Sequence, residues 1–221
     1  MSVAVAIVDY GVGNLLSVGR AVAAAGGEPR LVGTPGEIAA AERLLLPGVG
    51  AFGHCMAVLR ERGLIEPIRA FAATGRPFLG ICVGMQVMLE VGTEFGRHDG
   101  LGLIAGTVEA IPATGADGTS HKIPHIGWSP LARPAGGRAW AGTLLDGIPA
   151  DSSVYFVHSF AAQPALPAHR LADTDYHGRA IAAAIGRDNL AGCQFHPEKS
   201  GPVGLRILAN FIQGLTAGAG A

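Results

Sequence analysis

Lysine is almost missing from this chain: of 16 cationic residues in 221, only Lys122 and Lys199 are lysine and fourteen are arginine. A generic surface cation is therefore written here as Arg. Cysteine is scarce too, and the three, Cys55, Cys82 and Cys193, are odd in number, which argues against a disulfide framework and suits a reducing compartment. No uncharged apolar run reaches about 18 residues, and no amino-terminal segment joins a basic region to a long apolar run and a cleavage site. A cytoplasmic protein is expected, with neither membrane nor nucleic acid as partner. The G-x-x-x-x-G-K-[ST] pattern is absent, so ATP binding is not expected. Gly11-Val12-Gly13-Asn14-Leu15-Leu16 invites a dinucleotide reading and fails it, because Leu16 stands where close helix–strand packing needs the third glycine. Metal binding lacks support as well. His121 and His125 are four apart, but Pro124 breaks a helical face and no Cys or Glu pair completes a zinc set. No cofactor is expected.

What is present concentrates at two places. Cys82 lies in Gly80-Ile81-Cys82-Val83-Gly84, directly after the apolar Pro77-Phe78-Leu79. A G-x-C-x-G between a strand and a helix has the form of a nucleophile elbow with sulfur in place of the serine oxygen. The flanking glycines let backbone pass close to backbone. A helix starting near Val83 and running through Met85, Val87, Met88 and Leu89 would aim its free N–H groups at the sulfur and favour the thiolate. A lone cysteine is more often a packed apolar residue; the elbow and an available His-x-Glu reverse that preference. His196-Pro197-Glu198 supplies a base and a group to orient it, and in an extended segment both side chains point toward Cys82 from one strand end. His158 competes for the role of base but has no acid two residues on. Cys55 and Cys193 lack the glycine elbow, and Cys193 reads as a packed strand residue.

These two segments, Gly80–Gln86 and Gln194–Ser200 in sequence order, resemble the class I (triad) glutamine amidotransferases. Asp9-Tyr10-Gly11-Val12-Gly13-Asn14-Leu15, Pro47-Gly48-Val49-Gly50-Ala51-Phe52 and Pro124-His125-Ile126-Gly127-Trp128 narrow the resemblance to the glutaminase subunits of imidazole glycerol phosphate synthases. Motifs from Asp9 to Ser200 follow in that family's order. Two departures are visible: Val83 stands where Leu is usual, and Ser129 where Asn is usual, the latter putting in question a polar contact near the partner-facing surface. The resemblance implies a Cys82–His196–Glu198 triad, Gln86 and Glu94 in a glutamine pocket, and a (βα)₈-barrel cyclase subunit as heterodimeric partner. That partner receives ammonia through a channel to make imidazole glycerol phosphate and an aminoimidazole carboxamide ribotide in histidine biosynthesis. It further implies that Asn14, Lys122, Trp128 and Lys199 face the partner, Lys199 through a salt bridge. Read alone, the Asn14 loop serves equally as a helix entry capped by Asn14 or Ser17. Both lysines fall within family motifs, Lys122-Ile123-Pro124-His125 and Pro197-Glu198-Lys199, and beside Glu198 a compact, flexible charge is suited.

At 49% hydrophobic and a net charge of −1, residues 1–221 form one domain with one substantial core. Strands are expected at 3–8, 29–32, 43–46 and 78–81, helices at 15–25, 51–62 and 64–74. That alternation marks a doubly wound, mostly parallel α/β sheet flanked by helices. From Gly102 short segments at 106–111, 154–159, 170–174 and 180–185 form an added antiparallel part. A strand at 189–194 delivers His196, a helix at 203–215 closes the chain, and residues 113–120 and 132–142 are the candidate mobile loops. Ligands collect beyond the carboxyl ends of such strands, where Cys82, His196 and the Pro47–Gly50 turn all fall. Backbone N–H groups of Gly48, Val49 and Gly50, with that of Val83, would surround an oxyanion formed when Cys82 attacks a carboxamide. On residues alone other readings stay open: a glutaminase serving anthranilate, aminodeoxychorismate or pyridoxal phosphate synthase, or a solitary cysteine hydrolase. A regulatory relative would need a broken triad, and this chain keeps all three residues.

Overall fold

The computed structural model describes residues 2–217. The chain runs β1 (Val3–Val8), α1 (Leu15–Ala24), β2 (Gly27–Val32), α2 (Pro35–Ala40), β3 (Leu44–Gly48), α3 (Phe52–Glu61), α4 (Ile65–Ala72) and β4 (Phe78–Cys82). There follow α5 (Val83–Gln86), β5 (Leu89–Gly92), β6 (His98–Asp99), β7 (Ile104–Ala110), β8 (His125–Pro130), β9 (Ser153–His158) and β10 (Phe160–Pro164). The last part holds β11 (Arg170–Tyr176), β12 (Arg179–Arg187), β13 (Leu190–Cys193) and α6 (Gly201–Ile212).

Seven strands form the main sheet in the order β11-β12-β13-β4-β3-β1-β2. From β13 to β2 every pairing is parallel, whereas β12 and β11 join antiparallel at one edge. Strands covered on both faces need continuous apolar runs, and Val5–Val8, Leu44–Leu46 and Phe78–Leu79 are buried accordingly. Helices α1 and α6 pack together, as do α2 and α4, flanking this sheet. A second sheet, β10-β7-β5-β6, is mixed: β7 runs antiparallel to β10 but parallel to β5. The β8–β9 ribbon stands apart. Both expected loops are tied at their bases, residues 113–120 by a Thr114–Ser120 bridge, residues 132–142 by an Ala132–Asp173 bridge. Buried Trp140 pins the second further, donating its Nε1–H to Leu171 O at 2.7 Å.

Strands β5, β6, β8 and β10 were not expected, and two helices differ from the expectation. Helix α2 was not expected, although Thr34 and Glu37 form a complete capping box with Pro35 in the first turn. Conversely, the helix after Cys82 lasts one turn instead of running to Leu89. The carbonyls of Val87 and Met88 accept N–H groups from Leu101 and Leu103, at 2.7 and 2.8 Å, so no helical ladder forms beyond Gln86.

The β3–β4 junction positions everything that follows. Gly48 and Cys82 are register partners, and the turn after Cys82 lies against β3 so closely that a Cβ on Gly84 would sit 1.9 Å from Leu46 O. Gly84→Ala should therefore lower stability by about 3 kcal/mol or more, since backbone must move to admit the methyl. Gly36→Ala, in α2 with nothing within 4 Å of the new Cβ, should instead raise stability by about 0.5–1 kcal/mol. Urea unfolding midpoints check both; equal behaviour of the two variants contradicts the packing argument.

Candidate active site

Cys82 ends β4 with φ 55° and ψ −115°, a conformation that a side-chain-bearing residue holds only under constraint. The constraint is the glycine pair around it: a Cβ on Gly80 would meet Gly84 O at 2.7 Å. With α5 only four residues long, the dipole expected to favour thiolate is that of a single turn. Neighbouring side chains act on the sulfur instead. Gln194 directs Nε2 at Sγ from 3.8 Å, and the Cys82 sulfur interacts with His196.

His196 and Glu198 do not extend β13, which stops at Cys193. His196 precedes a single 3-10 turn, Pro197–Lys199, that carries Glu198. The side chains still meet, His196 Nδ1 to Glu198 Oε1 at 2.7 Å. A carboxylate only accepts, so Nδ1 carries a proton and Nε2 is left for chemistry; Nε2 has no hydrogen-bond partner. The backbone of the base is fixed: its N–H reaches Tyr155 O at 2.9 Å, and Ser200 Oγ donates to His196 O at 2.7 Å while accepting Tyr155 N–H at 3.0 Å. Burial opposes an imidazolium here, yet Cys82 and Glu198 outweigh it and raise His196 to about 9.

His158 lines the same cavity but is disqualified as base by its partners. Its Nδ1 lies 2.9 Å from Phe160 O, its Nε2 3.0 Å from His125 Nδ1, and His125 Nε2 2.9 Å from Ser129 Oγ. A carbonyl accepts only, so His158 Nδ1 donates to Phe160; with both rings neutral the row then runs one way, Ser129 donating to His125 and His125 to His158. Burial first, then neighbouring histidines, push each down to about 4. Ser129, expected at a surface contact, thus ends a chain that reaches the cavity.

The cavity, about 450 Å³, is lined by Val49, Gly50, Cys82, Val83, Gln86 and Glu94 beside His196. Gly48 does not line it; it sits behind, where its own Cβ would meet Gly84 N at 2.5 Å. Gln86 donates both Nε2 hydrogens, to Phe160 O and Gln194 Oε1, each at 3.0 Å, and so keeps a free acceptor. Glu94 Oε2 accepts Phe52 N–H at 2.8 Å. Gln194, wholly buried, was missed; its signal was an amide directly after the apolar Leu190–Cys193 strand. Cys193 is buried and its thiol pushed up chiefly by burial, as a packed strand residue should be. Among the described residues no three metal-ligating side chains cluster, and no helix is long and apolar enough to cross a membrane.

Of the surface residues, Asn14 caps α1, accepting Ser17 N–H at 3.2 Å, and Lys122 is exposed. Trp128 and Ile126 protrude from β8, 57% and 58% exposed. Tyr155 stands edge-on to Trp128, and Lys199 Nζ lies 5.8 Å from the Tyr155 ring centre.

The Glutamine amidotransferase class-I family matches residues 6–214. Imidazole glycerol phosphate synthase subunit HisH 1 of Legionella pneumophila (strain Lens) is 58% identical over 209 residues, covering 95% of this chain and 98% of that protein. Subunit HisH of Rhodospirillum rubrum is 48% identical over 221 residues, with 95% and 98% covered. A solved structure of PurLQS from Thermotoga maritima shares the fold, with a TM-score of 0.71 at 19% identity over 96% of this chain and 98% of that one.

The histidines dictate a two-sided pH response. An unfolded histidine titrates near 6.5, while His125 and His158 do so at about 4 in the fold. Between those values the unfolded chain binds more protons, so stability is lost as pH falls. His196 works oppositely: its contribution is full below about 6.5 and is lost as pH rises through about 9. Unfolding free energy should peak near neutrality. His158→Gln should flatten the acid limb and Glu198→Gln the alkaline limb, measured by denaturant titration at about pH 4.5, 7 and 9. A profile that neither variant changes contradicts these charge states.

Proposed function

Because the chain belongs to the class I glutamine amidotransferases, we propose that it is the glutaminase subunit of an imidazole glycerol phosphate synthase, releasing ammonia for histidine biosynthesis. The observation that carries this reading is the contact of Glu198 with His196 beside the strained Cys82, in a chain 58% identical to such a subunit along nearly its whole length.

Each residue has a chemical task. Cys82 sulfur, its proton already passed to His196 Nε2, attacks the carboxamide carbon of glutamine. The negative oxygen that forms is stabilised by N–H groups of Val83 and of the Val49–Gly50 turn. Collapse breaks the C–N bond, His196 protonates the leaving nitrogen, and ammonia departs. Water then attacks the thioester with His196 as base, freeing glutamate and restoring the thiol. Glu198 keeps the imidazole oriented throughout. Gln86, whose free oxygen accepts, and Glu94, an anion suited to the substrate ammonium, hold the glutamine.

The ammonia acceptor is bound by a cyclase subunit of (βα)₈-barrel form. The exposed Ile126 and Trp128, with Tyr155 beside them, supply the apolar and aromatic character of an interface core, and Lys199 stands at its edge. Asn14, whose helix packs against the turn that carries Lys199, and Lys122 extend that surface. Ser200 joins it to the base, bridging Tyr155 and His196.

Cys82→Ala should abolish glutamine hydrolysis and His196→Asn fall nearly as far, whereas Glu198→Gln retains some turnover; Cys55→Ser and Cys193→Ser keep most. A glutamine-like electrophile should label Cys82 when mapped by mass spectrometry. Turnover surviving in Cys82→Ala, or an active His196→Asn beside an inactive His158→Asn, refutes the triad.

The chain alone should hydrolyse glutamine poorly and be activated by a cyclase holding its own substrate, since uncoupled ammonia wastes glutamine. Lys199→Ala should weaken that activation more than it changes the basal rate. Ammonia release that is full in the isolated chain and indifferent to any cyclase would favour a solitary hydrolase.

A further inference from the structure

The Pro47–Gly50 turn is held from beneath by two side chains to which the reaction above gives no part. Tyr10, fully buried just past β1, donates its hydroxyl to Pro47 O at 2.9 Å. Cys55, fully buried on α3, directs Sγ at Val49 O from 3.5 Å. Both lie within electrostatic reach of Cys82. On the outer side Glu94 holds Phe52 N–H, so the segment entering α3 is tied at three points.

Planar peptides turn these bonds into directions. In a trans peptide the C=O and the following N–H share a plane and point opposite ways. Val49 O faces inward to Cys55, so Gly50 N–H points away from it, and Gly50 lines the cavity. Pro47 O is likewise anchored, which leaves the Gly48–Val49 peptide between two fixed planes.

We propose that Tyr10 and Cys55 are positioning residues that aim the Val49 and Gly50 N–H groups at the oxyanion, an inference that rests on the glutaminase reading. Both stay protonated donors at any working pH, because burial pushes the phenol and the thiol above their ordinary values. Tyr10→Phe removes one oxygen and keeps the ring, so the core stays filled. Cys55→Ala deletes a donor that Cys55→Ser supplies again.

The test measures glutamine hydrolysis by wild type and the three variants, each with a cyclase subunit holding its own substrate, alongside the rate at which iodoacetamide alkylates Cys82. That displacement forms no oxyanion and reports the nucleophile alone. Tyr10→Phe and Cys55→Ala should lower kcat about tenfold with KM within about twofold, and Cys55→Ser should stay near wild type. Alkylation of Cys82 should proceed at the wild-type rate in all. An unchanged kcat, a loss confined to KM, a Cys55→Ser as slow as Cys55→Ala, or an equal fall in alkylation overturns the positioning role. Failure of the glutaminase reading shows separately, as a wild type that releases no ammonia from glutamine or a Cys82→Ala that still does.

Discussion

Backbone-to-backbone contact at Gly84 is the constraint on which the rest depends. With no Cβ there, the turn after Cys82 presses against Leu46 O, and Gly48 admits it from the other side. That approach bends the chain sharply enough to leave Cys82 in a strained conformation at the end of its strand. It also sets the nucleophile in register with Gly48, and so beside the turn whose N–H groups meet the developing charge. Since β13 pairs with β4 on its other side, the chain that leaves β13 brings His196 to the same spot. Three strand ends converge because two glycines let β3 and the elbow nearly touch.

Two buried imidazoles in one cavity are driven to opposite charge states by what surrounds them. His196 gains a carboxylate and a sulfur, and the charged ring is favoured. His158 gains a carbonyl and a second imidazole, and the neutral ring is fixed with a defined tautomer. Environments that push like groups apart in this way allow one to be base while the other is framework. The assignment does not rest on motif alone: His158 has no nitrogen to spare.

The residues legible in the sequence were those whose signal is local. Apolar runs betrayed the parallel strands, and glycines around Cys82 betrayed the elbow, because both properties belong to a few consecutive residues. Helix α2 was legible and overlooked, its capping box Thr34–Glu37 lying in plain order. The overlong helix after Cys82 was not decidable locally, since residues 101–104 claim the carbonyls it needed. Glu198 was placed on a strand and lies on a 3-10 turn, yet proximity to His196 survived, as a two-residue separation keeps them close in either geometry. Gln194 and the Ser129–His125–His158 row required tertiary pairing. Ser129 and His125 share a strand, but His158 lies 33 residues from His125, and Gln194 lies 108 residues from Gln86.

The Phe160 carbonyl, taken by His158 and Gln86 together, has spent both lone pairs. Gln86 has likewise spent both amide hydrogens. What remains at this wall is one bare amide oxygen, a surface that reads hydrogen content. A carboxamide set against it would bring N–H bonds to satisfy it, whereas a carboxylate would bring only lone pairs.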